Sequence, residues 1–252
     1  MKKLLEIKDY RKGIIIERVN KFVVRVKIEG KNILVHLNNT GRLEYFIKNG
    51  KVAILLPIAN QNMQTLSGLK RNLQSKNRKL KYRLSMVKED KGIFAIIDTS
   101  LQMKCFEIAL EKGYISWLKG AKILKRNFRI NNSLIDYLIY HKNKKYLLEV
   151  KSAVMKYKNF AMYPDCPSTR GQKHIKDLTE LQSQSEYQSI ILFIAGMKNI
   201  SAFSPNKNAD PKIYELLKIA KNKRIKIKAV QFYFDEKRKS IILKNNDLPV
   251  YI

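Results

Sequence analysis

Short segments with the hydrophobic pattern of β-strands fill the first third of the chain. Segments 13–19 and 22–28 are rich in Val and Ile, and residues 29–32 have the composition of a hairpin turn before a further strand at 33–36. More strands are predicted at 51–56, 79–86 and 92–97. Five or six short strands with turns between them are typical of a small closed barrel or sandwich, and their basic and aromatic residues favour an OB-like β-barrel. Such barrels commonly bind nucleic acid, although a purely structural β-module fits the same pattern.

Beyond residue 98 the pattern changes to an alternation of helices and strands. Thr99 or Ser100 can cap a helix whose apolar positions have helical spacing and which ends near Gly113. Strands are then predicted at 121–130, 134–140, 146–151, 189–195 and 225–234, with helices at 172–185 and 212–222. This alternation indicates an α/β domain. We therefore predict two domains, an OB-like β-barrel at 1–90 and an α/β domain at 91–252, with the boundary near residues 88–98.

The charge of the chain indicates a polyanionic partner. It holds 51 Lys and Arg residues against 21 Asp and Glu, a formal net charge of +30. Half of the excess lies in residues 1–84, which carry 20 basic and 5 acidic residues. A codon bias toward lysine does not explain the imbalance of sign. An anionic membrane surface is the weaker alternative, because no long basic amphipathic helix is visible.

Neither a targeting segment nor a membrane span is predicted. The basic residues at 2–3 have no apolar stretch behind them, and the longest apolar run, 190–195, is far too short to cross a bilayer. Cys105 and Cys166 lack the spacing of a zinc site or a disulfide framework. We expect a cytoplasmic protein that acts without a membrane partner.

Two predicted strands carry carboxylates inside apolar runs. Asp136 interrupts one strand, and Glu149 and Lys151 lie two apart on the next and so project from the same face. Burying carboxylates is costly unless they are paired or hold a metal, so a divalent cation is one explanation. Five other acid-x-Lys triplets occur in the chain, but only this one lies within a strand beside a partner acid. A structural ion pair between Glu149 and Lys151 remains the alternative.

Three groups of residues are candidates for phosphate contact. Arg170, Lys173 and His174 open a predicted helix, whose unpaired N–H groups favour an anion. Arg78 and Lys79 begin a strand with one basic face, and a polar loop carries His36, Asn38, Thr40 and Arg42 with Gly41 as its expected residue of positive φ. Solvated surface charge and an ordinary turn are the alternatives for these groups.

Several motifs resemble a known family. The order of acids, Glu107 on a helix, Asp136 on a strand and Glu149-x-Lys151 on the next, is similar to the PD-(D/E)xK nuclease core. The whole chain resembles the sugar fermentation stimulation protein A family in the segments 36–43, 78–80, 99–110, 135–136, 149–152 and 163–174. It departs from that pattern at Asp98, Met103 and Ile108, where Asn, Asn and Glu are expected.

The resemblance implies an OB-like N-terminal domain, a restriction-endonuclease-like C-terminal domain and DNA binding. Asp136 and Glu149 would then bind Mg²⁺ or Mn²⁺, Lys151 would stabilise developing charge, and Glu107 would add a ligand. A metal-dependent nuclease is our first hypothesis. The alternatives are a non-catalytic DNA-binding transcriptional regulator with a structural or vestigial site, and an enzyme that acts on RNA. Homodimers are common among nucleases that act on duplexes, so a homodimer is a further hypothesis.

Overall fold

The computed structural model describes residues 1–58, 80–184 and 186–252, which form sixteen strands, three α-helices and one short 3₁₀ helix (Ser116–Leu118). The first seven strands are β1 (Lys2–Glu6), β2 (Arg11–Asn20), β3 (Val23–Ile28), β4 (Lys31–His36), β5 (Val52–Pro57), β6 (Tyr82–Asp90) and β7 (Ile93–Ile96). The remaining elements are α1 (Thr99–Glu111), β8 (Lys122–Ile130), β9 (Ser133–His141), β10 (Lys144–Ser152), β11 (Met155–Tyr157), β12 (Phe160–Tyr163), α2 (Thr169–Gln184), β13 (Gln188–Ala195), β14 (Ala202–Pro205), α3 (Pro211–Asn222), β15 (Lys226–Asp235) and β16 (Ser240–Asn245).

Strands β2 to β6 close into a five-stranded barrel. Neighbours in the order β4-β3-β2-β5-β6 are antiparallel, and a parallel bridge between His36 and Arg83 joins β4 to β6. Alternate residues of β3 point inward, so Val24 and Val26 are fully buried while Lys27 is exposed. The OB-like barrel predicted from the strand pattern is confirmed.

The second half of the chain is an α/β layer structure. Strands β10, β13 and β15 are parallel neighbours, and β9 and β8 continue the sheet in antiparallel pairing. Helix α1 packs against one face through residues such as Phe106, and α2 and α3 cover the other through Leu178 and Leu217. Helices on both faces of this sheet confirm the predicted α/β domain.

The two halves share one continuous sheet. Strand β7 pairs with both β6 and β15. Strand β1, the first in the sequence, pairs with β16, the last. Five strands were not predicted from the sequence: β1, β11, β12, β14 and β16. The boundary predicted at residue 90 falls in the tight β6–β7 turn, and the division 1–90 and 91–252 stays a prediction.

The start of α1 differs from the expectation. The residue that caps this helix is Asp98 rather than Thr99 or Ser100, because its Oδ1 accepts from the backbone N–H groups of Ser100 and Leu101 at 3.0 and 3.3 Å. Thr99 and Ser100 were predicted as caps because both carry hydroxyl groups, but the carboxylate of Asp98, one position earlier, is the acceptor that caps the helix. The helix otherwise follows its predicted course, and Gly113 just beyond it has a φ of 64°.

None of the helices within the described ranges is long and apolar enough to cross a membrane.

Candidate active site

Asp136 and Glu149 lie where strands β9 and β10 separate. The backbone pairing of this hairpin ends with the pair Tyr137–Leu148, and each of these residues is a sequence neighbour of one carboxylate. Beyond that point the side chains replace the ladder: the backbone N–H of Val150 donates to Asp136 Oδ2 at 2.8 Å, and that of Asp136 lies 3.4 Å from Glu149 Oε2. Each acid is therefore held by the strand of the other, and the hairpin brings the two predicted metal ligands together.

Glu149 is a buried carboxylate with two cationic or donor partners. It is 2% exposed, and its Oε1 accepts from Lys151 Nζ at 2.7 Å and from His174 Nδ1. Burial would raise the pKa of Glu149, but the attraction of Lys151 and the hydrogen bond of His174 outweigh it. The pKa of Glu149 therefore lies well below its ordinary value, and the side chain is ionised.

Asp136 has the opposite electrostatic situation. Burial and then repulsion by Glu149 raise the pKa of Asp136 to about 7, although the Val150 N–H and the charge of Lys151 act against this. Among the described residues, no donor reaches Asp136 Oδ1. One oxygen of Asp136, beside a second carboxylate, thus has no hydrogen-bond donor in the part of the chain that the structure describes.

Lys151 projects from the same face of β10 as Glu149, as the spacing predicted. Burial would lower the pKa of Lys151, but the Glu149 carboxylate outweighs this effect and the pKa lies above its ordinary value. The amine is therefore protonated. In this state Lys151 can stabilise negative charge and cannot accept a proton.

His174 belongs to this site as well as to the start of α2. Its Nδ1 donates to Glu149, so the ring nitrogen Nε2 is the acceptor, and Arg170 Nε lies 3.4 Å from it. Arg170, Lys173 and His174 were predicted from the sequence to contact phosphate. The contact of His174 with Glu149 was not predicted, because the two residues are 25 positions apart and meet only when α2 packs on the sheet.

Glu107 lies away from the Asp136–Glu149 pair. Arg126 binds both of its carboxylate oxygens, at 2.8 and 2.9 Å, and the hydroxyl of Tyr137 donates to Oε1 at 2.9 Å. Tyr137 follows Asp136 on β9, so the two side chains point to opposite faces of the sheet. The structure therefore brings Asp136, Glu149 and Lys151 together and leaves Glu107 outside this group.

The described residues contain no group of three or more His, Cys, Asp and Glu side chains arranged to hold a metal ion. The two oxygen-donating acids still suit Mg²⁺ or Mn²⁺, because Mg²⁺ is usually held by one or two carboxylates, several waters and substrate phosphates. The unpartnered oxygen of Asp136 is the observation that fits a cation there.

A small cavity opens beside the site. Its volume is about 180 Å³, and His174 lines it while also contacting Glu149. Lys173 lines it too, with its ammonium 2.5 Å from Asp177. Two of the three predicted phosphate-contact residues of α2 therefore face this cavity, while Arg170 is exposed at the start of the helix.

The loop after β4 has a structural role that the sequence did not reveal. Asn38 donates to Ser100 Oγ at 2.5 Å and to Asp98 Oδ1 at 3.2 Å, and Asn39 donates to the carbonyl of Ile97 at 3.0 Å. These contacts tie the barrel to the start of α1. Of the predicted contact residues in this region, Thr40 and Arg42 are exposed, His36 is half-buried at the barrel seam, and Arg78 and Lys79 lie outside the described residues.

Gly41 does not have the positive φ expected of it. The left-handed residue of this loop is Leu43, with a φ of 56°. Gly41 is needed for space instead, because an added Cβ would lie 2.6 Å from an oxygen of Asp165. That carboxylate accepts from the backbone N–H of Leu43 at 2.7 Å, so Asp165 fixes the loop from the other domain.

Arg18 and Asp165 are further anchors that sequence reasoning missed. Arg18 Nη1 donates to the carbonyls of Gly41 and Arg42 at 2.7 and 2.6 Å. The only signal in the sequence was that Asp165 lies inside the most specific motif, 163–174. Both residues hold the loop between the barrel and the α/β domain.

Comparisons with known proteins agree with this architecture. The model of the family described as "Sugar fermentation stimulation protein RE domain" matches residues 100–238, and that described as "SfsA N-terminal OB domain" matches residues 16–97. A sugar fermentation stimulation protein homolog from Archaeoglobus fulgidus is 38% identical over 251 residues, 99% of this chain and 100% of the relative. One from Pyrococcus furiosus is 38% identical over 234 residues, 92% and 93% of the two chains.

A solved structure shows the same fold. It is that of Pyrococcus furiosus SfsA in complex with Ca²⁺, which matches with a TM-score of 0.87 at 38% identity over 100% of both chains. The match covers both the barrel and the α/β domain. This chain therefore belongs to the sugar fermentation stimulation protein A family.

Proposed function

We propose that this protein binds nucleic acid and hydrolyses its phosphodiester bonds with Mg²⁺ or Mn²⁺ held by Asp136 and Glu149. The observation that supports this most strongly is the pair itself: two carboxylates fixed by each other's strands, with one oxygen of Asp136 free of any donor within the described residues. Lys151 already pairs with Glu149 but contacts no oxygen of Asp136, so a divalent cation at the free oxygen of Asp136 is the simplest way to offset the repulsion between the two acids.

The metal would supply known chemistry: a bound divalent cation polarises a phosphoryl oxygen and lowers the pKa of water. The Pyrococcus furiosus relative, solved with Ca²⁺, supports the presence of a cation site in the family. Ca²⁺ and Mg²⁺ share a preference for oxygen ligands, which are the donors that Asp136 and Glu149 offer.

The remaining side chains of the site have distinct tasks. Lys151 carries a fixed positive charge beside Glu149 and stabilises the negative charge that develops on the phosphate. His174 holds Glu149 from the side of α2 and lines the cavity by which a phosphate would enter, and Arg170 Nε lies 3.4 Å from the other ring nitrogen of His174. Lys173 faces the same cavity and attracts the backbone of the substrate.

The substrate is a nucleic acid rather than a small phosphodiester. The net charge of +30 and the OB barrel, a fold that commonly binds oligonucleotides, both support this. We place DNA ahead of RNA because the resemblance of the motifs implies DNA binding. A homodimer is a further hypothesis, because nucleases that act on duplexes are often dimeric.

A cleavage assay tests the proposal. Wild type, Asp136→Asn and Asp9→Asn are incubated with end-labelled DNA and RNA, single- and double-stranded, in Mg²⁺, Mn²⁺ or EDTA. We expect metal-dependent cutting by wild type and by the exposed-site control Asp9→Asn, and at least a hundredfold slower cutting by Asp136→Asn. Equal cutting by Asp136→Asn would place the activity elsewhere or in a contaminant.

A second candidate function is a DNA-binding regulator without catalysis. The observation that favours it is that Lys151 and His174 already occupy Oε1 of Glu149, and the described residues form no three-ligand cluster. In that case wild type would bind DNA but cut neither DNA nor RNA in either metal. The same assay therefore separates the two functions.

A further inference from the structure

A small sheet follows directly on the strand that carries Lys151. Strands β11, β12 and β14 form this three-stranded sheet, and the backbone of Val250 pairs with Phe203 at its edge, so the chain end extends it. On β12 the side chain of Ala161 is fully buried and that of Tyr163 packs on the core. Phe160 and Met162 alternate with them and therefore point to the opposite, solvent-facing side.

Three aromatic residues form a row on this outer face. Tyr157 pairs directly with Phe160 across β11 and β12, and the ring of Tyr251 meets that of Phe160 edge-on with centroids 6.0 Å apart. Tyr157 is 59% and Tyr251 61% exposed, the two highest values for aromatic side chains in the described part of the chain. Exposed rings arranged side by side offer flat apolar surfaces to a ligand.

The charge around the row favours an anionic ligand. Lys158, in the β11–β12 turn, has its ammonium 5.7 Å from the ring centre of Tyr157 and forms no ion pair with any described residue. Lys156, which alternates with Tyr157 on β11, is instead bound by Glu89 at 3.2 Å. A partner that combines flat aromatic rings with negative charge matches this face, and nucleic-acid bases on their phosphate backbone have both properties.

Strand β12 carries both a residue of the row and a residue that interacts with the proposed active site, on opposite faces of the small sheet. Tyr163 at the end of β12 interacts electrostatically with Lys151, and Phe160 is three residues further along the strand. At a rise of about 3.3 Å per residue this separation is roughly 10 Å.

We propose that Tyr157, Phe160 and Tyr251 form a stacking platform for unpaired bases of a single-stranded segment of the nucleic acid that the protein binds. The inference rests on the proposed nucleic-acid function, because it names the form of nucleic acid that is bound. Bases in a duplex are paired and stacked on one another, so only a single strand can place them on exposed rings.

Binding of matched oligonucleotides tests the platform. A single strand and the duplex of the same sequence are titrated in EDTA against wild type, Tyr157→Ala, Tyr251→Ala and Tyr157→Phe. We expect each alanine variant to bind the single strand about tenfold more weakly and the duplex unchanged, and Tyr157→Phe to match wild type, because stacking needs only the ring. Quenching of 2-aminopurine in the single strand should weaken in parallel.

Tyr140→Ala provides the matched control, since this residue is 39% exposed on β9, outside the small sheet, and should leave both affinities unchanged. Loss of both affinities to the same extent, or of neither, overturns the platform.

A change of oligomeric state in the alanine variants also overturns it, because a second copy of the chain would then cover this face. If Asp136-dependent cleavage persists without any effect of Tyr157, the platform alone fails; if wild type binds no nucleic acid, the proposed function fails with it.

Discussion

At the scale of single residues, two neighbouring carboxylates differ in what surrounds them. Glu149 is ionised because the charge of Lys151 and the hydrogen bond of His174 stabilise its carboxylate, whereas Asp136 has a raised pKa because burial and repulsion by Glu149 outweigh the groups that stabilise its charge. Glu149 is thus fixed by two side-chain partners, whereas one oxygen of Asp136 has no hydrogen-bond donor among the described residues. This difference is what a divalent cation would remove.

Replacement of Glu107 tests whether the third acid of the motif takes part in catalysis. Because Arg126 and the hydroxyl of Tyr137 occupy its oxygens, we expect Glu107→Gln to cut within about threefold of wild type. The lost ion pair is partly exposed and should cost no more than about 1 kcal/mol of unfolding free energy. A loss of cutting as large as that of Asp136→Asn would show that Glu107 reaches the metal after all, as the motif implies.

Gly41 tests the contact between the barrel loop and the α/β domain. In Gly41→Ala the new methyl group would displace the Asp165 carboxylate and break its bond with the Leu43 N–H, so we expect a loss of about 1–2 kcal/mol in unfolding free energy. Thr40→Ala, one residue away and exposed, should change stability by less than about 0.5 kcal/mol. Chemical denaturation measures both, and equal stability of the two variants would contradict this role of Asp165.

Only those residues of the candidate site that stand out in the local sequence pattern could be predicted. Asp136, Glu149 and Lys151 were found because carboxylates inside apolar strands are unusual and because one hairpin joins them. His174 joined the site only through packing of α2, and Gly41 was misassigned because its constraint comes from Asp165, 124 positions away. Contacts between residues so far apart in the sequence leave no local pattern from which they could be predicted.

At the scale of elements, Asp98 connects the barrel with helix α1. It caps the helix, and its Oδ2 forms an ion pair with Arg83 Nε at 2.9 Å and accepts from Ser85 at 3.0 Å, with the side chain fully buried. One residue thus fixes both the direction in which α1 leaves the barrel and the seam of β6.

Asp98→Ala should therefore be strongly destabilising. Removing one partner of a buried ion pair leaves the other charge uncompensated, and we expect a loss of roughly 3 kcal/mol or more in unfolding free energy. Thr99→Ala is the matched control and should cost less than about 1 kcal/mol, because Thr99 is not the cap. If the Thr99 variant were the less stable of the two in thermal melts, the assignment of the cap would be wrong.

Most elements were predicted to within a few residues because their own hydrophobic period determines them. The barrel strands alternate, and α3 has both a regular apolar face and a proline at its start. Strands β1 and β16 were missed because they are short and polar at their ends and pair only with each other and with β15. Their stability comes from partners that the sequence does not identify.

At the scale of the whole molecule, the basic excess predicts how binding responds to salt. Affinity for duplex DNA should fall as salt rises, with a slope of about −0.9 for each phosphate contacted. Lys173→Gln removes one charge from the cavity beside the site and should make the slope shallower by about one unit, whereas the exposed Lys8→Gln should leave it unchanged. Affinity that does not depend on salt would contradict a binding mode based on charge.

The most direct measurement is the binding of Mn²⁺ to the protein without nucleic acid, because every catalytic step assigned here depends on a cation at Asp136 and Glu149. Titration followed by electron paramagnetic resonance or calorimetry should find a Mn²⁺ site in wild type that is absent from Asp136→Asn and still present in Glu107→Gln. Equal binding by wild type and Asp136→Asn would contradict the account.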